Sequence, residues 1–372
     1  MELLEVMKGW GGYTPAGQMR LSEARLTAAL DLLTNARKMP LHRWRYEIQE
    51  AITTSDFPTL FGGILDRQLM ARYKAIVPEW RTWIPTGNVS DFRQAEVHKF
   101  SGNDTRLARV AEKAEYPETP FATGHYHRQV FKYGRRFDIS WEALINDAMD
   151  AFGDIEQRFL DAAMLTEAWE ATSTYAAAGG PNAAVFGNPV VDVDGQNVVN
   201  QGVLALTIPN LETTLSLMAE QTDAAGRTLG VQGKHLVVPP RLEFTARAIL
   251  SSTLYQQQGS ATPVPTANVV AQKGLILHVD PNLPSIDGTA NDNGTWYVFA
   301  DASLGRAVQV DFLTGHESPE ICMKTSNKVS GGGGVVSPFD GDFDSDDVQY
   351  RVRHVVGGTH LDPRYAYAQV HN

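Results

Sequence analysis

The sequence predicts an α+β protein, and three observations predict it. Between Asp91 and Ile139 apolar and polar residues alternate intermittently, as they do in the strands of a long ribbon. From Ser140, the residues Trp141, Leu144, Ile145, Ala148, Phe152, Ile155, Phe159 and Ala162 recur every three or four positions, the period of a long helix. Beyond Asn182, short apolar runs alternate with helical stretches over about 120 residues, which indicates an α/β region around a central sheet.

Composition bounds the function. The 372 residues are 43% apolar, enough for one large core or two ordinary ones, so the chain reads as globular. No run of 18 apolar residues and no secretory signal is present, which predicts a soluble, cytoplasmic protein without a membrane partner. A net charge of −11 argues against a surface that draws in nucleic acid by neutralising phosphates. The single cysteine, Cys322, excludes an intrachain disulfide and a cysteine cluster, and it reads as a buried structural thiol.

The elements follow in order. Leu26, Leu30 and Leu33 share one side of a helix over Leu21 to Ala36, with Ser22 as its cap; it serves either as an arm or as a helix packed on the core. A short amphipathic helix spans Pro58 to Tyr73. The extended stretch Ile76 to Asn88 carries Pro78, Trp80, Trp83 and Pro85. That composition predicts an arm lying on a neighbouring copy, the alternative being an edge strand of one domain. The ribbon from Asp91 to Ile139 returns through Gln129, Phe131 and Tyr133 and has few large apolar side chains. It could not stand alone in water, so a partner surface is expected beneath it.

Ser140 is read as the cap of the long helix, which runs to Ala178, roughly 50 Å at about 1.5 Å per residue, and is stopped by Gly179-Gly180-Pro181-Asn182. Leu211 to Gln221 reads as a helix, Lys234 to Val238 as a buried strand, and Pro239 to Leu250 as a helix opened by proline. Gly274 to Val279, Thr295 to Ala300 and Gly305 to Val310 read as strands. Gly331 to Gly334 and the acidic Asp340 to Asp347 form a flexible loop before a half-exposed strand over Val348 to Val356.

None of the chemical motifs is complete. Gly331 to Gly334 lacks the Lys-Ser/Thr of a phosphate loop. Asp340, Asp342 and Asp344 have the spacing of a calcium loop, but Ser345 stands where glycine is required and Arg351 where the bidentate glutamate belongs. His125 and His127 would share one face of a strand, with Glu112 or Glu115 opposite, a weak metal-site reading. Gly259-Ser260-Ala261 fails as a nucleophile elbow. No catalytic residue, metal ligand or cofactor is assigned.

Two further stretches carry a family likeness. Ala111-Glu112-Lys113-Ala114-Glu115-Tyr116-Pro117-Glu118, followed by Lys132 to Ser140 and the long helix, resembles the extended loop and spine helix of tailed-phage major capsid proteins, the family of the HK97-like capsid fold. Lys234 to Pro240 resembles the strand-to-helix junction of that family's axial domain, and Val348 to Ala368 its terminal strand. The resemblance implies an N-terminal helix and extended arm (1–90), an extended hairpin loop (91–139), a spine helix and peripheral domain (140–200), an axial domain (201–335) and a terminal peripheral strand (336–372). It implies a shell protein that assembles with itself into hexamers and pentamers around double-stranded DNA, without sequence-specific binding and without catalysis. Scaffolding, cement and portal proteins are the implied partners, and the virion, assembled in the host bacterial cytoplasm, is the implied location. Trp80, Trp83, Lys113, Glu115, Tyr116, Phe121 and Arg135 are the implied subunit-contact residues, with Trp80, Trp83 and Phe121 as apolar anchors.

The chain departs from the pattern in two ways. Relatives that weld their shells carry a lysine directly before the loop proline. Here that position is Tyr116 and Lys113 is offset, which implies a noncovalent shell. The short N-terminal segment implies a separate scaffolding protein or none, and no maturation cleavage. An encapsulin-like compartment is the alternative within the same fold, and a metal-dependent hydrolase using His125 and His127 the alternative outside it.

Overall fold

The structure, a computed structural model, describes residues 70, 72–102, 109–110, 112–113, 115–116, 121–140, 148–257, 264–288, 294–324, 343–345 and 347–371. The chain divides into a larger unit (69–136, 156–321 and 351–372) and a smaller one (1–68, 137–155 and 322–350). The expected helix over Leu21 to Ala36, most of the one over Pro58 to Tyr73, the Gly331 to Gly334 run, Asp340 and Asp342 lie outside the described residues; the chain is helical at residues 72–75, where the second of these ends.

In chain order the elements are β1 (Thr86–Val89), β2 (Ala95–Gly102), β3 (Phe121–Arg128), β4 (Phe131–Ser140), α1 (Ala148–Ser173), β5 (Ala176–Ala177), β6 (Gly180–Pro181), β7 (Val190–Val191), β8 (Asn197–Val198), β9 (Gln201–Gly202) and α2 (Ile208–Ala219). There follow β10 (Gly233–Val238), α3 (Glu243–Ser251), β11 (Leu254–Gln257), β12 (Val264–Ala267), α4 (Val269–Gln272), β13 (Ile276–Val279), α5 (Leu283–Asp287), β14 (Trp296–Ala300), β15 (Val308–Leu313), β16 (Glu320–Met323), β17 (Asp347–His360) and β18 (Ala366–Gln369). The mixed α+β class expected from the pattern is the class observed.

One sheet runs β13-β10-β14-β18-β9 and a second β1-β15-β17-β16, with β4 also paired to β17. The first sheet explains its own sequence. β10 and β13 are parallel, joined through α3 and α4. Alternate side chains serve two cores: Val237, Tyr297 and Phe299 point into one with Trp80, Trp83 and Tyr175, while Leu236, Val238, Trp296 and Val298 point into the other with Leu211, Met218 and Ile249. Strands covered on both faces read as unbroken apolar runs, which is why Trp296 to Ala300 shows no polar alternation. Thr207 caps α2, its side chain accepting the Asn210 N–H.

The long helix differs from its expected outline. Ser140 ends β4, and residues 141–147 lie outside the described residues. The helix stops at Ser173, where Asn182 Nδ2 donates to the Ser173 carbonyl and Gly179 and Gly180, both at positive φ, turn the chain into the β5-β6 hairpin. Its buried stripe is Leu160, Ala163, Glu167 and Ala171; a count of apolar residues misses this stripe because one member is a carboxylate.

Two other expectations are corrected. In the stretch 76–88, read as an arm or an edge strand, Glu79–Thr82 forms a 3-10 turn that places Trp80 and Trp83 in the core, and β1 pairs in parallel with β15 at the edge of the second sheet. The ribbon is β2 and β3 alone, in register from Ala95 opposite Arg128 to Gly102 opposite Phe121, while β4 leaves it for β17. β17 is half-exposed only as far as Arg353. From His354 onward it is covered, because the Gln129-Val130 turn and the end of α1 press on Gly357 and Gly358.

That closeness makes a sharp expectation. A Cβ at Gly357 would stand 2.0 Å from the Gln129 carbonyl oxygen, a backbone atom that cannot rotate away. Gly357→Ala is expected to destabilise the chain by about 3 kcal/mol, read as a fall in the unfolding midpoint in urea.

Within the smaller unit, Lys324 N–H donates to the Gln349 carbonyl at 2.9 Å. Cys322, expected buried, is exposed on β16, the end strand of its sheet among the described residues.

Candidate functional site

The expected contact residues separate into two groups. Trp80 and Trp83 are each only 7% exposed. The Trp83 ring packs on Phe299, Tyr175, His278 and His235 at centroid distances of 4.8, 5.6, 5.6 and 6.3 Å, and Trp80 stacks on Phe312 at 6.5 Å. Both side chains pack into the chain's own core. Lys113, Glu115 and Tyr116, by contrast, stand in solvent in the segment joining β2 to β3; Lys113 holds a left-handed φ of 64° and Tyr116 is 83% exposed. Phe121 opens β3. Arg135 is exposed on β4.

Arg135 also lines a cleft of about 440 Å³ between β4, β17 and the outer side of α1, with Tyr133, Leu165, Thr166, Trp169, Glu170 and His354 around it. Leu165 is 66% exposed and Trp169 44%. The two lie one turn apart and leave a small apolar patch in water beside the groove. The period-3.6 pattern did not single out these two, because both lie on the side of the helix opposite the buried stripe.

His125 and His127 do share the outer face of β3, their rings 5.2 Å apart. Opposite them stand His98 and Glu96 on β2, not Glu112 or Glu115, which belong to the connecting segment. Among the described residues no group of three or more His, Cys, Asp or Glu is arranged to hold a metal ion, and no helix is long and apolar enough to cross a membrane.

Beneath the cleft lies a buried polar network that sequence patterning missed. Glu167, fully buried, accepts from Tyr73 Oη; Arg81 Nη2 lies 3.1 Å from its Oε2, and His354 Nε2 lies 2.7 Å from its Oε1. The Arg81 guanidinium also sits over the Tyr73, Trp80 and Phe312 rings at 5.1, 5.2 and 5.1 Å. Burial, reinforced by the Glu167 charge, pushes the Tyr73 phenol far above its ordinary range, so it stays a donor.

A second buried pair joins the parallel strands β10 and β13. His235 Nδ1 and His278 Nε2 are 3.0 Å apart, with Glu79 Oε1 3.5 Å from His278 Nδ1. Burial holds both imidazoles down at about 4, and for His235 the neighbouring His278 adds to the effect. In the unfolded chain they titrate near 6.5. Between those values the unfolded state binds more protons, so stability is full above about pH 6.5 and falls as pH drops toward 4. The expected loss is about 3 kcal/mol for each histidine over that window, about 7 kcal/mol for the two together. Thermal unfolding followed from pH 7 to 4.5 should show it, and the His235→Leu/His278→Leu double variant should flatten the profile there.

The sequence model of a family described as "Phage capsid protein" matches residues 128–369, from the end of the ribbon to the last strand. The chain belongs to the phage capsid protein family. No curated protein matches it. Among solved structures, a chain of Mycobacterium phage Ogopogo is 13% identical with a TM-score of 0.45, covering 79% of this chain and 92% of that one. The capsid of a native GTA particle is 12% identical at 0.47, covering 80% and 91%. The holo-SrpI encapsulin complex from Synechococcus elongatus is 10% identical at 0.43, covering 80% and 88%.

This capsid protein therefore comes from a structural family, not an enzyme family, and its working parts are surfaces. The matched span contains the cleft, all of α1 and the first sheet in full. β2 and nearly all of β3 lie before it.

Proposed function

We propose that this capsid protein assembles with itself into hexamers and pentamers of an icosahedral shell enclosing double-stranded DNA, with no covalent cross-links between subunits. The family match over residues 128–369 is the observation that carries the reading. The exposed surfaces agree with it: Tyr116 and Arg135 and the cleft walls Leu165 and Trp169 present apolar and charged groups that a neighbouring subunit would cover. The net charge of −11 suits a wall that encloses DNA without binding its sequence. Tyr116, standing where welded shells carry lysine, is the reason to expect noncovalent contacts. On this reading the protein acts in the virion, is assembled in the host bacterial cytoplasm with scaffolding, cement and portal proteins as partners, and catalyses nothing. The domain roles follow the family layout, with β2 and β3 as the extended loop, α1 as the spine and the β13-β10-β14-β18-β9 sheet at the centre of the axial domain.

Electron microscopy and light scattering of the full-length protein test the reading. Closed uniform particles whose extracted contents are nuclease-sensitive DNA are expected; a monodisperse monomer or dimer at high concentration overturns self-assembly, protein cargo in place of DNA overturns the contents, and covalent ladders on a denaturing gel overturn the noncovalent joint. Tyr116→Ser is expected to leave the unfolding midpoint within about 0.5 kcal/mol of the parent, since the ring touches little of its own chain, while lowering the yield of particles severalfold.

A further inference from the structure

The β2-β3 ribbon meets the rest of the chain at one charged node. Lys99 of β2 points its ammonium at three carboxylates: Asp192, bonded directly, Asp362 at 2.6 Å and Asp194 at 3.7 Å. Tyr126, diagonal to it on β3, donates to Asp192 Oδ1 at 2.7 Å. The second cation, Arg364, reaches Asp192 at 2.6 Å and Asp194 at 3.0 Å. Asp192, Asp194 and Arg364 are almost completely buried, and Lys99 is largely so. Beside the node Gly124, opposite Lys99 on β3, lies flat on the β7-β8 turn: a Cβ there would stand 2.7 Å from both the side chain and the carbonyl of Val193.

The division of labour is what matters. Asp192, Asp194, Asp362 and Arg364 all belong to the body of the unit and hold one another without the ribbon. Lys99 and Tyr126 are the ribbon's contribution. Without Lys99 three carboxylates face one guanidinium, a buried excess of negative charge that the ribbon otherwise answers. A two-stranded ribbon is marginal by itself in water, so its hydrogen bonds persist only while it is docked.

We propose that Lys99 is a positioning residue: its ammonium, seated among Asp192, Asp194 and Asp362, clamps the ribbon to the β7-β8 turn and the C-terminal segment and so fixes the direction in which the ribbon projects. Tyr126 and the bare face of Gly124 complete the seat. In this way a single exchangeable charge couples the ribbon to the carboxylates of two distant stretches of chain, 93 and 263 residues away in sequence.

Hydrogen exchange of the dilute full-length chain tests the clamp without depending on shell formation. In Lys99→Met, amides of residues 95–102 and 121–128 should exchange at least tenfold faster, while those of β10 and β14 keep parental rates. Lys99→Arg, which restores the charge, should return the ribbon close to the parent, and Tyr126→Phe should fall between. Unchanged ribbon exchange in Lys99→Met overturns the proposal. So does equal acceleration of β10 and β14, which would make Lys99 a general stabiliser, and so does an arginine variant as fast as the methionine one, which would remove charge as the cause.

Discussion

Replacing Trp83 by alanine is expected to destabilise the chain by about 3–5 kcal/mol, the range for deleting a large buried aromatic side chain. The indole touches Tyr175 at the end of α1, Phe299 on β14 and both histidines of the β10-β13 pair, so one deletion opens a cavity where helix and sheet meet. Collapse into that cavity is resisted from both sides: Tyr175 is fixed by Asp280, and Phe299 sits in the middle of a paired strand. Urea unfolding followed by far-ultraviolet circular dichroism measures the loss. Full monomer stability with fewer particles would return Trp83 to the role the bare sequence suggested, an anchor on a neighbour.

Glu167→Ala is the second large effect, again about 3–5 kcal/mol, the cost of breaking a buried charge pair by removing one partner. The carboxylate meets Tyr73, Arg81 and His354 at once, and Arg81 Nε and His354 Nδ1 already lack hydrogen-bond partners among the described residues. Removing Glu167 therefore leaves a guanidinium over three aromatic rings with no carboxylate partner among the described residues. The physical claim has its own control. Because an uncompensated charge is the main penalty, Glu167→Leu combined with Arg81→Met should recover a substantial part of the stability that Glu167→Ala loses, as replacement of a whole buried pair by apolar residues commonly does. A double variant as unstable as the single one would place the cost in lost packing.

These two residues show where reading the chain by pattern succeeds and where it stops. Glu167 sits in step with Leu160, Ala163 and Ala171 on the buried side of α1, yet a carboxylate in that position carries no apolar signal, and its partners are 94, 86 and 187 residues away in sequence. Lys99 looks like any other polar position of a ribbon until Asp192 and Asp362 arrive beside it. Leu165 and Trp169 look like core residues by type and lie outside. Cys322 looks like a buried thiol and stands on an uncovered strand.

What the sequence determined by itself was the set of local elements and their class: the helical repeat of α1, the unbroken apolar runs of β10 and β14, the proline-opened turn into α3, and the order of ribbon, helix and α/β region that carries the family likeness. Each depends on neighbours within about one or two turns of chain, where side-chain period and backbone preference act directly. Only the tertiary structure decided which sides of those elements are covered, and by what. It turned Trp80 and Trp83 inward, ended the ribbon at Arg128, buried Glu167 with Arg81, and brought three aspartates to Lys99. Burial and charge pairing depend on residues brought together across the whole chain, and no local period encodes those meetings.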